Sequence, residues 1–101
     1  MARKVVFRAA AERDLAKLYE DIRDQRGEPT VAIDYIRRIR EYCHGFAEFP
    51  ERGAKRDDIR PGLRIIGFER RVVIAFTFDA ERVRIGRIFY GGRDYEALLM
   101  R

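Results

Sequence analysis

The chain has 101 residues, of which 47% are hydrophobic and 39% are charged. This length supports a modest core, so we interpret residues 1–101 as a single domain. With 22 Lys and Arg against 17 Asp and Glu, the net charge is +5, which suits an acidic partner such as nucleic acid. The excess charge is spread along the chain, which argues against a dedicated DNA-binding arm.

The residue types that usually carry catalysis are scarce. The single cysteine, Cys43, excludes an intrachain disulfide and favours a reducing compartment. No apolar run is long enough for a signal core or a membrane span, so we expect a cytoplasmic protein. Cys43 and His44 are adjacent and point apart on a helix, and the chain has no serine for a nucleophilic triad. We therefore expect no metal and no cofactor.

The first half of the chain is predicted to be a strand followed by two helices. A β-branched run at residues 3–7 predicts the strand, and apolar residues at helical spacing predict a helix over Ala9–Arg26. Gly27 is suited to end this helix, and Pro29 to begin a second one that runs to about residue 46. The short break between the helices predicts an antiparallel hairpin.

The second half is predicted to be a long loop over residues 47–62 and a meander of three antiparallel strands at residues 63–67, 71–78 and 82–90. The middle strand is apolar on both faces and should be central. A short C-terminal segment follows. The whole is predicted to be an α+β domain of order β-α-α-β-β-β, with a helical hairpin packed on a small antiparallel sheet and a short C-terminal tail.

The last predicted strand does not alternate cleanly between apolar and polar residues. Either a bulge near Gly86 switches the two faces, or Arg87 points along the inward face close to its edge.

Metal-free RNA cleavage is the one enzymatic chemistry that the residues leave open. It requires a base, an acid and cations for the phosphate. Arginine is too basic to accept a proton easily, so the signal is weak. The candidates are Lys55, Arg56, Arg60, Arg64, Arg87 and Tyr90.

Several short blocks occur together in an order that covers essentially the whole chain. They are Phe49-Pro50, Arg52-Gly53, Arg56-Asp57-Asp58-Ile59, Pro61-Gly62-Leu63-Arg64 and Tyr90-Gly91-Gly92-Arg93-Asp94. With the helical hairpin before them, these blocks make the chain resemble the ParE toxins of type II toxin–antitoxin modules, within the RelE/ParE superfamily.

The resemblance implies a toxin that poisons DNA gyrase while DNA is cleaved and so blocks replication. It also implies a hetero-oligomer with a ParD-like antitoxin, which neutralises the toxin by lying against the hairpin and the sheet. The antitoxin supplies the DNA-binding fold, so no direct specific DNA binding by this chain is expected. Two alternatives remain: a ribosome-dependent mRNA endonuclease of RelE type, or an inactive antitoxin-binding module.

For gyrase poisoning, the resemblance carries over no catalytic residue, because the toxin itself makes no bond. We expect the target-binding surface to comprise loop and strand residues together with the C-terminal tail: Arg56, Arg60, Arg64, Arg87, Tyr90, Arg93, Leu98 and Leu99. Antitoxin contact is expected on the hairpin, at Leu15, Leu18, Tyr19, Tyr35 and Ile39. Replacing Arg60 or Arg64 with Ala is expected to weaken toxicity and leave the fold intact. Truncation after Asp94 is expected to abolish toxicity but keep antitoxin binding.

Overall fold

A computed structural model describes residues 2–92 and 94–100. The predicted α+β class and order of elements are confirmed, with a two-residue strand added inside the long loop. The strands are β1 (Lys4–Phe7), β2 (Ala54–Lys55), β3 (Arg64–Phe68), β4 (Val72–Phe78) and β5 (Arg82–Tyr90). The helices are α1 (Ala9–Arg26), α2 (Pro29–His44), a 3₁₀ turn (Gly45–Ala47) and α3 (Tyr95–Leu99).

The hairpin of α1 and α2 forms as its sequence predicts. Gly27 ends α1 in the left-handed conformation at φ 69°, and its N–H donates to the carbonyl of Arg23. Pro29 begins α2 in the first turn, where its missing N–H costs nothing. The apolar stripes of both helices face the sheet, because burying them there removes the largest apolar area from water.

The five strands form one sheet in the order β1-β5-β4-β3-β2. Strands β3 to β5 pair antiparallel as predicted, and the added strand β2 pairs antiparallel with β3. Strand β1 pairs parallel with β5, so the sheet is mixed rather than wholly antiparallel. The prediction missed this pairing because β1 and β5 are far apart in sequence. A parallel partner requires a crossover connection, which the rest of the chain supplies.

A bulge in β5 decides which residues face the hairpin. Ala75 of β4 pairs with Arg87, whereas the next residue, Phe76, pairs with Ile85, which leaves Gly86 as the extra residue. Side chains after Gly86 therefore change faces. This confirms the first of the two alternatives for the irregular strand.

The sheet has two faces with different covers. The hairpin face holds the larger core, which includes Leu15, Leu18, Ile39, Phe46, Ile74, Phe76, Val83, Ile85 and Ile88. The opposite face, which we call the second face, holds a smaller cluster of Leu63, Ile65, Ala75, Phe89 and Leu99. Helix α3 and the loop before β3 cover this cluster and leave the rest of the second face open. None of the helices in the described part of the chain is long and apolar enough to cross a membrane.

Candidate functional site: an arginine groove

An open groove of about 660 Å³ lies on the second face beside α3. Four arginines surround it, Thr77 and Gly86 are at its floor, and Leu98 and Leu99 form one wall. We call this feature the arginine groove. Its arginines are Arg8, Arg60, Arg84 and Arg87.

The β5 bulge brings two of these arginines to the same face. Arg84 pairs across the sheet with Thr77, and Arg87 pairs with Ala75, which belongs to the second-face cluster. Without the extra residue at Gly86, positions 84 and 87 would point to opposite faces. Arg8 joins them because it follows β1 directly and its N–H donates to the carbonyl of Ile85 at 2.9 Å.

Asp14 of α1 fixes Arg87 in place. Its carboxylate accepts from Arg87 Nε at 2.8 Å and Nη2 at 3.1 Å, and it also accepts from the backbone N–H of Ile88 at 2.8 Å. The Arg87 guanidinium also lies 4.8 Å from the ring centroid of Phe89. Because β1 has ended by this point, Asp14 supplies the acceptor that a neighbouring strand would otherwise give to Ile88. Its hydrogen bond raises the pKa of Arg87, so the groove keeps this charge at any ordinary pH.

The other arginines are held with different strength. Arg84 Nη1 donates to Asp79 at 2.8 Å, and this bond, with backbone donors from Arg82 and Glu81, lowers the pKa of Asp79 well below its usual range. Arg60 Nη2 donates to the carbonyl of Leu99 at 2.9 Å and so joins the loop to α3. Within the described residues, the side chain of Arg8 has no hydrogen-bond or salt-bridge partner, and this residue is exposed.

The predicted target-binding residues are divided between the two faces. Arg60, Arg87, Leu98 and Leu99 line the arginine groove, and Arg56 lies nearby, paired with Asp58 and with Glu96 of α3. Those two carboxylates raise the pKa of Arg56.

Arg64 and Tyr90 lie on the hairpin face instead. The Arg64 guanidinium lies 5.6 Å from the ring centroid of Phe78, and Tyr90 packs edge-on to Tyr35 at 6.2 Å. Strand alternation places both with the larger core, so the predicted residues do not form one surface. Arg93 lies outside the described residues.

The predicted antitoxin-binding residues are mostly inside the protein. Leu15, Leu18 and Ile39 are at most 3% exposed and form part of the core between the hairpin and the sheet. Only Tyr19 and Tyr35 remain half-buried. The stripe that identifies a helix is the one it buries, so periodicity alone finds the core side of a hairpin.

Sequence reasoning missed the exposed apolar residues of the hairpin and two arginines of the groove. Ile33 is 54% exposed and, with Tyr19 and Ile36, lines a shallow groove of about 360 Å³ between α1 and α2. Arg84 could have been found from the predicted bulge at Gly86, because a bulge there places Arg84 and Arg87 on the same face of β5. No local sequence pattern indicates that Arg8 belongs to the groove, because its position depends on the parallel pairing of β1 with β5.

The chemistry of the arginine groove is that of anion binding. Among the described residues that line it, arginine is the only titratable type. Guanidinium groups donate hydrogen bonds but do not exchange protons near neutral pH. The candidate phenol, Tyr90, is on the other face of the sheet. Among residues 2–92 and 94–100, no group of three His, Cys, Asp or Glu side chains converges as a metal site.

Comparison with known proteins gives the class of this chain. Residues 5–95 match the family described as "ParE toxin of type II toxin-antitoxin system, parDE". The chain is 33% identical over 86 residues to Toxin ParE3 of Caulobacter vibrioides, which covers 85% of this chain and 84% of that protein. The chain therefore belongs to the ParE toxin family of type II toxin–antitoxin systems, as the sequence resemblance indicated.

A solved structure supports the same architecture. The chromosomal ParDE TA system from P. aeruginosa contains a chain that matches with a TM-score of 0.75 at 23% identity, over 88% of this chain and 96% of that one. At this identity the match shows the shared fold.

Proposed function

We propose that this ParE toxin poisons DNA gyrase and is neutralised by direct contact with a ParD-like antitoxin. The observation that carries the gyrase proposal is the arginine groove. Its described lining residues can bind an anionic target and include no group that transfers protons near neutral pH. A toxin that traps a target complex requires binding alone, whereas RNA cleavage requires an acid and a base. Family membership supports the same conclusion.

The outer surface of the helical hairpin is the proposed antitoxin site. Its shallow groove presents the apolar side chains of Ile33, Tyr19 and Ile36. Charged residues also line this groove: Glu20 and the ion pair of Glu12 with Arg40. This surface fits the apolar face of an amphipathic helix. This site keeps the antitoxin contact on the hairpin, as the sequence resemblance implies. It consists of side chains that a partner can reach, whereas Leu15 and Leu18 are buried.

The gyrase proposal is tested by adding the purified toxin to gyrase, plasmid and ATP, and in parallel to a translating extract. We expect linear or nicked plasmid bound to gyrase, with intact mRNA. Positioned mRNA cuts with intact plasmid would instead identify an endonuclease of RelE type. No effect in either reaction would indicate an inactive antitoxin-binding module.

Two arginines form a matched pair for locating the target surface. Arg60 lines the arginine groove, whereas Arg64 lies on the hairpin face near Phe78. We expect Arg60→Ala to reduce gyrase poisoning and Arg64→Ala to leave it nearly unchanged, when both variants are equally stable to urea. Loss of poisoning in Arg64→Ala alone would move the target surface to the other face.

The antitoxin site is tested with Ile33→Asp, which places a charge on an exposed position and so spares the fold. We expect this variant to lose antitoxin binding, measured by titration calorimetry, and to remain toxic to gyrase. Lys17→Gln, on the exposed side of α1, is the charge control, because it lowers the net charge of the hairpin by one, as Ile33→Asp does. Unimpaired binding by Ile33→Asp would place the antitoxin elsewhere.

A further inference from the structure

We propose that the arginine groove binds the phosphodiester backbone of DNA, so that the toxin contacts the nucleic acid of the gyrase complex as well as the enzyme. This inference rests on the proposed function. The tertiary structure concentrates charge that the sequence leaves dispersed. Arg8 after β1, Arg60 of the long loop, and Arg84 and Arg87 of β5 come from three separate segments and surround one groove.

The donors of the groove are oriented before any ligand arrives. Asp14 holds Arg87 through Nε and Nη2, Asp79 holds Arg84 through Nη1, and the Leu99 carbonyl holds Arg60 through Nη2. A guanidinium has five N–H donors, so each of these arginines keeps donors for a phosphate oxygen. Fixing the side chains beforehand removes much of the entropy that binding would otherwise cost.

The floor of the groove admits a phosphate but offers no platform for a base. Thr77 and Gly86 are small, so a phosphate group can approach the strands closely. Phe76 is the one aromatic side chain among the described lining residues, and at 1% exposed it offers no ring for base stacking. Binding through phosphates without base contacts predicts affinity that does not depend on DNA sequence.

Two of the four positive charges are balanced by Asp14 and Asp79, so two to four phosphate contacts are expected. The slope of log K against log salt should then lie between about −2 and −4. Arg8 is the most informative position, because its side chain has no hydrogen-bond or salt-bridge partner among the described residues, so its removal breaks no such bond there.

The test is fluorescence anisotropy of a short labelled DNA duplex, titrated with toxin between about 50 and 200 mM salt. We expect Arg8→Ala and Arg84→Ala each to weaken binding about fivefold to tenfold and to reduce the salt slope by about 0.9. Arg26→Ala is the matched control, because it removes the same charge about 27 Å away at the other end of α1. It should have little effect.

The competing outcomes are distinct. An effect of Arg26→Ala equal to that of Arg8→Ala would overturn the site, as would tighter binding of a polyglutamate peptide than of the duplex. Gyrase poisoning without salt-dependent DNA binding would refute this inference and spare the proposed function. If the toxin binds DNA, Arg8→Ala weakens that binding, and gyrase is not poisoned, the groove assignment would stand and the proposed function would be refuted.

Discussion

At the scale of single residues, Asp14 connects the fold to the groove. It is 12% exposed and accepts three hydrogen bonds, two from Arg87 and one from the Ile88 backbone. Those bonds attach α1 to β5 at Arg87 and Ile88, which lie beyond the residues of β5 that pair with β1. The same carboxylate thus accepts a hydrogen bond from a backbone N–H at the edge of the sheet and orients a cation of the arginine groove.

Replacing Asp14 with Ala should destabilise the protein by about 3 kcal/mol, because it leaves a buried N–H and a partly buried guanidinium unpaired. Asp21→Ala is the control, since its pair with Lys17 is exposed and should contribute less than about 0.5 kcal/mol. Urea unfolding measures both. Equal losses for the two variants would show that Asp14 is an ordinary surface carboxylate.

At the scale of elements, the long loop is docked rather than loose. Its short strand β2 pairs with β3, and Gly53 just before it has φ 70°. A Cβ at Gly53 would lie 2.2 Å from the carbonyl oxygen of Ile65, whereas one at Gly62, with φ 79°, would meet nothing within 4 Å. A substitution at Gly62 therefore tests backbone strain alone, whereas one at Gly53 adds a steric clash to that strain.

Gly62→Ala should cost about 1 kcal/mol, the strain of a left-handed alanine. Gly53→Ala should cost clearly more, about 3 kcal/mol, because β2 must also move off β3. Thermal unfolding of the two variants tests the difference. Equal losses of stability in the two variants would mean that β2 moves off β3 at little energetic cost and that the loop is only weakly docked.

Helix α3 completes the second-face cluster. Leu99 is 3% exposed and Met100 is 69% exposed. Leu99→Ala should cost about 2–4 kcal/mol through the cavity that it leaves, and Met100→Ala should fall within about 0.5 kcal/mol. Denaturant unfolding measures these values, and a neutral Leu99→Ala would contradict the packing described here.

The role of Leu99 also changes how a deletion is interpreted. Truncation after Asp94 removes a core residue along with the groove wall, so loss of toxicity in that variant alone would not identify a contact surface. Leu98 is the better probe, because it lines the groove and is only partly buried.

At the scale of the whole molecule, charge is organised as ion pairs that are distributed over the hairpin and over the loops of the sheet. Each of four carboxylates has its pKa lowered mainly by a hydrogen bond from an arginine. The pairs are Glu12–Arg40, Asp34–Arg37, Asp58–Arg56 and Asp79–Arg84. These carboxylates are ionised more readily in the folded chain than in the unfolded chain.

Stability should therefore be lost on acidification. A carboxylate with a lowered folded-state pKa stabilises the protein above its unfolded pKa of about 4 and loses that contribution as pH falls through the folded value. We expect the free energy of unfolding to be level between about pH 5 and 8 and to fall below about pH 4. Urea titrations across this range test it, and rising stability on acidification would contradict the ion-pair description.

Sequence patterns predicted most of the local structure. The bounds of α1 and β5 agree with the prediction, because a helix stripe, a Gly stop and a β-rich run are local signals. The bulge at Gly86 was one of two stated alternatives. The parallel partner of β1 and the burial of Leu15, Leu18 and Ile39 under the sheet required contacts between distant segments, which no local pattern contains.

By itself, the sequence determined the α+β class, the helical hairpin, the three long antiparallel strands and membership of the ParE toxin family, because periodicity, turn residues and local blocks of sequence are properties of neighbouring residues. Only the tertiary structure decided which cations share a surface. A one-residue bulge brings Arg84 and Arg87 to one face, parallel pairing of β1 brings Arg8 beside them, and Arg64 and Tyr90 are left on the other side. The physical reason is that strand pairing and register fix the direction of each side chain across the sheet.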